Sequence, residues 1–196
     1  MVRGCRVCQR LSEAEKRPAC YTLSGCTGVM GQGMTCTSVA TTASGLYECP
    51  GYRLPTAVEW EYAARAGTRT AFYSGNITRQ AVLGNCYADP ALEGIAWYCN
   101  NAQGKTHHVG LKTPNAFGLL DTAGNADEWV SDLNLGHAVP NPSSDPGDQL
   151  GNGTLRTTRG GLFNGWPAVC RSASAIGLAG AQRGPGLGFR LVRSAL

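Results

Sequence analysis

The residues best suited to chemistry lie in one glycine-containing turn, where oxygen donors recur at alternating positions. Asp121 and Glu128 carry carboxylates, and Gly124 and Ala126 contribute backbone carbonyls between them. Calcium prefers carboxylate oxygens combined with carbonyl oxygens from such turns. The spacing therefore predicts a calcium site formed by Asp121, Gly124, Ala126 and Glu128. The alternative is that Glu128 caps a backbone group or pairs with a core arginine, in which case the turn needs no ion.

The cysteines are the second source of chemistry. Nine cysteines are many for a reducing compartment, and their odd number leaves at least one thiol free or bridged to another chain. Cys5 and Cys8 form a C-x-x-C pair that would suit zinc or redox chemistry, but structural zinc needs four ligands and no second such pair follows. We expect disulfides that staple loops, with Cys86 and Cys99 as one candidate pair, and an extracytoplasmic, oxidising destination.

Other functional classes find little support in the sequence. His107 and His108 are adjacent, so in an extended segment they face opposite sides and would not bind one metal together. There is no Ser-His-Asp order and no glycine-rich phosphate loop, and no organic cofactor is expected. The net charge of +4 comes without a run of Lys or Arg, so no nucleic-acid partner is expected. No apolar stretch reaches about 18 residues, so no membrane span is expected, and residues 1–20 lack the apolar core of a signal peptide.

The composition predicts a loop-rich molecule with few long helices, because only 15% of the residues are charged while Gly numbers 27 and Pro 10. One helix is predicted over 55–65, with Thr56 and Glu59 as a capping box and Gly67 as the stop. The spacing of its apolar side chains makes Glu59 and Glu61 structural rather than catalytic.

The remaining elements are predicted to be short. A second helix is expected over 7–16, with Val7 and Leu11 on its apolar face. Strand-like pieces occur at 71–73 and 95–98, between Gly/Asn turns. The remaining segments are predicted to be an irregular, disulfide-held insert over 20–50 and a surface loop over 134–154.

Three stretches in fixed order carry a resemblance to a known family. They are R-L-P-T-A-V-E-W-E-Y-A-A-R over 53–65, N-A-F-G-L-L-D-T-A-G-N-A-D-E-W over 115–129, and R-G-G, C-R-S-A and G-F-R-L-V within 159–192. Together they resemble the formylglycine-generating-enzyme-like family, also called sulfatase-modifying factors. The resemblance covers roughly residues 45–196 and implies an α+β, C-type-lectin-like fold over a single domain, 1–196. It also implies that the N-terminal part of the family domain is missing.

The resemblance bears on activity in two ways. In the formylglycine-generating enzyme the turn matching Asp121, Gly124, Ala126 and Glu128 binds calcium. The same enzyme oxidises a substrate cysteine with two cysteines and copper, placed after the Gly-Gly anchor. Here Gly160 is followed by Gly161 and then by eight residues without cysteine, so the paired soft ligands of such chemistry are absent. Cys170 has no partner at suitable spacing, and fold resemblance alone does not transfer an activity.

The segments between the last anchors instead resemble the variable region of diversity-generating retroelement target proteins. Residues 162–169 and 174–187 contain no Lys, Asp, Glu or Tyr, although a Gly/Ala-rich sequence from a GC-rich genome would also have this composition. The resemblance implies a non-catalytic protein that binds a protein or glycan ligand through a variable region over 160–192, displayed on a cell or phage surface. The alternatives are a divergent metal-dependent oxidase and an inactive truncated paralogue. The predicted ligand-binding residues are Leu162, Phe163, Asn164, Trp166, Ala168, Val169, Ser174, Ile176, Leu178, Gln182 and Pro185; Phe163 has a core position as its alternative.

Overall fold

A computed structural model describes residues 1–30, 32–79, 84–134 and 155–194. Apart from residue 134, the surface loop predicted over 134–154 lies outside this range. Three α-helices are described: α1 (Val2–Ala14), α2 (Ala57–Arg65) and the short α3 (Pro90–Glu93). The strands are β1 (Tyr21–Ser24), β2 (Ser38–Thr41), β3 (Tyr52–Arg53), β4 (Asp127–Leu133), β5 (Leu155–Arg159), β6 (Ala175–Ala179), β7 (Leu187–Phe189) and β8 (Val192–Arg193). This confirms the α+β class with few helices and short strands.

A four-stranded mixed sheet organises the C-terminal half of the chain. Its strand order is β6-β5-β4-β7, in which β4 runs parallel to β7 and the other pairs are antiparallel. Two smaller pairs, β1 with β2 and β3 with β8, complete the described strands. The three sequence anchors therefore meet in one region, because α2, β4, β5 and β7 all contact this sheet or belong to it.

Helix α2 forms where the capping pattern predicts it. The Thr56 hydroxyl accepts the N–H of Glu59, and the Glu59 carboxylate accepts the N–H of Thr56. Its buried residues are Ala57, Trp60 and Ala64. The helix ends with Ala66 in the left-handed conformation, one residue before the predicted stop.

Helix α1 departs from its prediction in position and in face. It begins at Val2 and ends at Ala14, and it buries Gly4, Cys5, Cys8, Gln9 and Ser12, whereas the predicted Val7 and Leu11 are only half buried. A Cβ on Gly4 would lie 3.1 Å from Leu54, so the small residue lets the helix approach the core closely. The spacing of apolar residues did not indicate this buried face of α1, because small and polar residues form much of it.

The disulfide prediction is confirmed at Cys86–Cys99, and two further bridges, Cys20–Cys49 and Cys26–Cys36, staple the insert over 20–50. The insert is less irregular than predicted, because it contains the β1–β2 hairpin. The strands predicted at 71–73 and 95–98 are wrong. Only isolated bridges occur there, Phe72 with Gly75 and Trp97 with Gly124, and the side chains pack into a core cluster around Tyr98.

None of the described helices is long and apolar enough to cross a membrane.

Candidate functional site

Glu128 lies in β4 at the centre of the C-terminal region and is held from two directions. The indole N–H of Trp60 donates to Glu128 Oε2 over 2.6 Å. The guanidinium of Arg190 donates from Nε to the same oxygen and from Nη2 to Oε1. Because this pairing offsets burial, the pKa of Arg190 is raised overall. Glu128 thus joins α2, β4 and the residue after β7.

Oxygens of Asp121 and Gly124, two of the other predicted calcium ligands, accept hydrogen bonds within the chain. Asp121 Oδ2 accepts the N–H of Gly110 over 2.8 Å, and the Gly124 carbonyl accepts the N–H of Ala126 over 2.8 Å. Arg190 Nη2 lies 3.3 Å from the Asp121 carbonyl, so a protein cation already bridges the turn and Glu128. Within the described residues, no three His, Cys, Asp or Glu side chains form a metal-binding group. The Arg190–Glu128 pair matches the alternative, in which Glu128 pairs with a core arginine. Calcium stays a prediction from sequence.

Arg159 is the main anchor of the segment that follows. Its side chain is 1% exposed, and Nη2 donates to Glu61 Oε2 over 3.0 Å and to the Ala57 carbonyl over 3.2 Å. Nη1 donates to the carbonyls of Ser172 and Ser174. Burial lowers the pKa of Arg159, and Glu61 opposes that shift. One buried cation therefore fixes both α2 and the start of the 174–187 stretch.

The Gly-Gly anchor after Arg159 makes a close approach to Cys170. Gly161 has φ +76°, and a Cβ there would lie 2.9 Å from the Cys170 sulfur. The Cys170 thiol is 1% exposed, and burial followed by the nearby Asp127 carboxyl raises its pKa to about 12. Thiol nucleophiles act as thiolates. Cys170 therefore packs in the core cluster around Tyr98, where burial favours the protonated thiol.

Asp127 is the second buried titratable group at this point. It is 3% exposed, and Oδ1 accepts the N–H of Gly161 over 2.9 Å. Burial raises its pKa to about 6, and Glu128 adds to the rise. No pattern in the sequence indicates a buried carboxyl at this position.

The predicted ligand-binding residues divide by burial. Asn164, Gln182 and Pro185 are exposed, and a half-buried group comprises Leu162, Trp166, Val169, Ser174, Ile176 and Leu178. Phe163, at 9% exposed, and Ala168, at 3%, are buried, so their assignment to the ligand surface is corrected. Phe163 packs in the interior because its N–H binds the Asn125 carbonyl and its ring lies against Gly186. Ala168 lies inside a 3-10 turn, Pro167–Cys170.

The 162–169 and 174–187 stretches are brought together. A Cβ on Gly186 would lie 3.2 Å from Leu162 Cδ1, so the turn after Gly161 touches the loop before β7. That loop is held by the Gly186 carbonyl, which accepts the N–H of Asp127. Strand β6 is an edge strand of the sheet, and its Leu178 packs against a core cluster that contains Leu54 and Trp129. Leu162 and Pro185 thus belong to one surface, while Ile176 and Leu178 lie on the edge strand.

The largest exposed apolar side chains lie elsewhere, a feature that the sequence did not indicate. Val109, Leu111 and Phe117 are more than half exposed, and the Phe117 ring lies 5.6 Å from that of Tyr62.

The structure also contains a cavity lined by Arg156 and Arg183. The sequence feature that relates to this cavity is that Arg183 is the sole charged residue in 174–187.

Comparison with known proteins places these features in a family. The family model for the sulfatase-modifying factor enzyme 1-like domain matches residues 8–195. The chain is 36% identical over 127 residues to the formylglycine-generating enzyme of Streptomyces coelicolor, covering 58% of this chain and 36% of that protein. It is 33% identical over 158 residues to the chaperone protein LppX of Paenibacillus barcinonensis, covering 74% of this chain and 50% of that protein. The chain thus spans about a third to a half of these relatives.

Solved structures agree on the fold. Treponema denticola variable protein 1 superposes with a TM-score of 0.69 at 27% identity, covering 95% of this chain and 66% of that one. PvdO from Pseudomonas aeruginosa superposes with a TM-score of 0.62 at 24% identity, covering 98% and 77%. The chain belongs to the sulfatase-modifying factor enzyme 1-like family.

Proposed function

We propose that this chain is a non-catalytic ligand-binding protein that presents a diversified C-terminal surface on a C-type-lectin-like scaffold. The observation that carries the proposal is the contrast between anchors and intervening residues. Arg159 is 1% exposed and Arg190 is tied to Glu128, whereas Asn164 and Gln182 between them are exposed. Loop residues held by rigid anchors tolerate substitution at little cost in stability.

The binding surface is centred on the contact between the 162–166 turn and the 182–186 loop. Leu162 and Trp166 are half buried, and Asn164, Gln182 and Pro185 surround them with exposed atoms. Trp is a favoured anchor residue in binding interfaces, and a polar rim is typical around such a centre. The proposed ligand is a protein or a glycan.

The likeness to a variable protein supports this function over an enzymatic one. Treponema denticola variable protein 1 shares the fold over nearly the whole of this chain. Retroelement diversification acts on a C-terminal segment of such scaffolds, and the 162–187 segment lies between intact anchors here. Three disulfides fit an oxidising environment, and display on a cell or phage surface would expose the C-terminal surface to ligands.

A divergent oxidase is the second candidate, because several curated relatives are formylglycine-generating enzymes, one of them 36% identical to this chain. The thiol at Cys170 is the discriminating group. It is buried, its pKa is raised to about 12, and the segment 162–169 lacks a second cysteine. Paired thiolates that could bind copper are therefore missing at this position. If Cys170→Ala abolished a measurable oxidation of cysteine peptides, the enzymatic candidate would replace the binding one.

Deep sequencing of this locus across a population of its host tests the proposed function. We expect substitutions confined to codons 162–187 that spare the C-R-S-A anchor at 170–173 and match adenines in a nearby template copy. Codons 159–161 and 188–191 serve as the internal control, since the anchors should stay constant. An invariant 162–187 segment, or changes spread evenly over anchors and loops, would overturn the proposal.

A further inference from the structure

Acidic residues are absent from two long stretches of the chain, 94–120 and 149–196. The first stretch contains Lys105 and Lys112, and the second contains six arginines together with the whole segment proposed to bind ligand. A surface built from both stretches is therefore positively charged wherever acids from other parts of the fold do not pair with these cations.

Asn125 brings the two stretches together. Its side-chain oxygen accepts the N–H of His107 over 2.9 Å, and its side-chain nitrogen donates to the His107 carbonyl over 3.2 Å. The backbone carbonyl of the same residue accepts the N–H of Phe163 over 3.1 Å. Because one residue binds both segments, the loop over 104–112 lies beside the 162–166 turn of the proposed ligand surface.

Packing on Trp97 holds this loop in place. The His107 ring stacks on the indole with the two ring centroids 3.9 Å apart, and Lys112 Nζ lies 4.0 Å from the indole centroid. Two groups this close to one ring cannot share a face, so they enclose the indole from opposite sides. Lys112 Nζ also donates to the Glu93 carbonyl over 2.7 Å. A loop ordered in this way loses less conformational entropy when a ligand binds.

Three cations at this surface have no carboxylate partner among the described residues. Lys105 is exposed and takes part in none of the ion pairs. Arg171 Nε donates to the Ala168 carbonyl over 2.8 Å, and the exposed Arg183 donates from Nη2 to the Met34 carbonyl over 3.0 Å. Both acceptors are neutral, so all three side chains keep their full charge towards a ligand.

The described carboxylates next to this surface do not cancel that charge. Glu93 acts on Lys112, so that pair is left out of the surplus. Asp121, held by a backbone N–H of the loop, offsets one further charge. Asp127 is 3% exposed, and Glu128 is already paired with an arginine. Three cations against one carboxylate leave the described part of the surface positive.

The same loop exposes aliphatic side chains. Val109 is 79% exposed and Leu111 is 62% exposed, and the half-buried Leu162 and Trp166 lie on the neighbouring turn. A sulfated glycan or a nucleic acid would pair with the cations and leave these side chains in water, whereas a polypeptide can cover them with apolar residues of its own. The mixture of charged and apolar groups thus favours a protein ligand.

We infer that the ligand of the proposed surface is an acidic polypeptide. Its carboxylates pair with Lys105, Arg171 and Arg183, and its apolar side chains cover Val109 and Leu111. The inference rests on the proposed binding function and deepens it by naming the class of ligand.

Part of this preference would be the same in every diversified copy. Lys105 and the rest of the 104–112 loop lie outside 162–187, and Arg171 belongs to the C-R-S-A anchor. Diversification would change which acidic partner is bound, through exposed residues such as Asn164, while the framework keeps the preference for acidic partners.

Selection from a phage-displayed library of random peptides tests the inference, with the immobilised wild-type chain as the target. We expect the fraction of Asp and Glu in the enriched peptides to exceed that of the input library at least about twofold, since opposite charges attract across an interface and like charges are rejected. Replacing Asp and Glu of the most enriched peptide by Asn and Gln should weaken its binding at least about tenfold. No acidic excess, no enriched peptide, or tighter binding of heparin than of any selected peptide would overturn the inference.

Matched variants locate the binding, measured by fluorescence anisotropy of the most enriched peptide at low salt. Lys105→Gln is the main variant, because Lys105 is exposed and its loss leaves the core intact. We expect it to weaken peptide binding at least about twofold. Arg10→Gln also removes one positive charge, from a side chain on α1 that is 61% exposed, and should leave the affinity unchanged. Equal affinities in Lys105→Gln and wild type, or equal losses in both variants, would overturn the assignment of the acidic ligand to this surface.

The peptide selection and the sequencing experiment fail separately. If codons 162–187 vary in the population but the selected peptides carry no acidic excess, the ligand class falls and the diversified surface stands. If acidic peptides bind through Lys105 but the codons are invariant, the acidic-ligand surface stands and the diversification proposal falls.

Discussion

Arg190 and Glu128 form a two-point ion pair that joins the residue after β7 to β4, with Trp60 of α2 donating to the same carboxylate. The two side chains are 62 positions apart in sequence. Their exposed fractions are 24% for Arg190 and 11% for Glu128. The pair therefore connects all three sequence anchors of the family at one point.

Removing one partner of this pair should destabilise the protein strongly. Arg190→Met leaves Glu128 as a largely buried, unpaired carboxylate, and we expect the free energy of unfolding to fall by about 3 kcal/mol. Arg10→Met breaks an exposed pair with Glu13 and should cost less than about 1 kcal/mol. Urea unfolding of both variants measures the difference. Similar losses in the two variants would show that the Glu128 pair is not structural.

The sequence predicted local features better than distant ones. The Thr56–Glu59 capping box could be identified because its two residues lie three positions apart and their backbone interaction is local. The pairing of Cys86 with Cys99 could also be predicted, because the two cysteines flank one short segment. The identity of the arginine that pairs with Glu128 could not be derived, because it depends on the parallel pairing of β4 with β7.

Features formed by small residues or by distant segments were missed. The buried face of α1 contains Gly4 and Ser12, which apolar periodicity does not count. The cavity beside β4 is lined by residues of α1, β5 and the loop after β6, which no local pattern connects. Phe163 and Ala168 were assigned to the ligand surface because they lie between the anchors, but chain position does not determine which way a loop residue points.

Chelation should leave the stability unchanged. Glu128 is paired with Arg190 and Asp121 Oδ2 accepts the N–H of Gly110, so the turn does not need an ion to satisfy these carboxylates. We expect melting temperatures in EDTA and in millimolar calcium to agree within about 1 °C. An ion that binds only the native state raises the melting temperature. A calcium-dependent rise that Glu128→Gln abolishes would contradict this expectation and support the calcium site.

The three free cysteines should be unreactive in the native protein. Burial raises the pKa of Cys5 to about 12 and that of Cys170 to about 12, and it also raises the pKa of Cys8. At pH 8 these thiols are protonated and inaccessible, so iodoacetamide should label none of them within an hour. Under denaturing, non-reducing conditions mass spectrometry should count three labels per chain. Native labelling of Cys170 would contradict its burial and favour the enzymatic candidate.

Substitutions within residues 162–187 should divide into two classes by burial. Phe163 is 9% exposed, and Phe163→Ala should cost about 3 kcal/mol because it leaves a cavity beneath Gly186. Asn164→Ala and Gln182→Ala alter exposed side chains and should stay within about 0.5 kcal/mol of wild type. Chemical denaturation distinguishes the two classes. Equal losses at Phe163 and Asn164 would show that the segment does not divide into core and surface.

Asp127 should make the stability depend on pH. Burial raises its pKa from 3.8 to about 6 in the folded chain, so between these values the native state binds more protons than the unfolded state. The free energy of unfolding therefore falls as pH rises from about 4 to about 6, by up to about 3 kcal/mol, and the loss persists at pH 7.5.

The variant Asp127→Asn keeps an oxygen that can accept the N–H of Gly161 and removes the buried charge. We expect it to be more stable than wild type by about 1–3 kcal/mol at pH 7.5, with the advantage disappearing near pH 4. Glu13→Gln, which alters a side chain 51% exposed on α1, is the control and should reproduce the pH dependence of the wild type. Urea unfolding from pH 4 to pH 8 measures all three proteins. Only a group whose pKa differs between the folded and unfolded states makes the free energy of unfolding depend on pH. If Asp127→Asn and wild type differed in stability by the same amount at every pH, the Asp127 carboxyl would not titrate between pH 4 and pH 8.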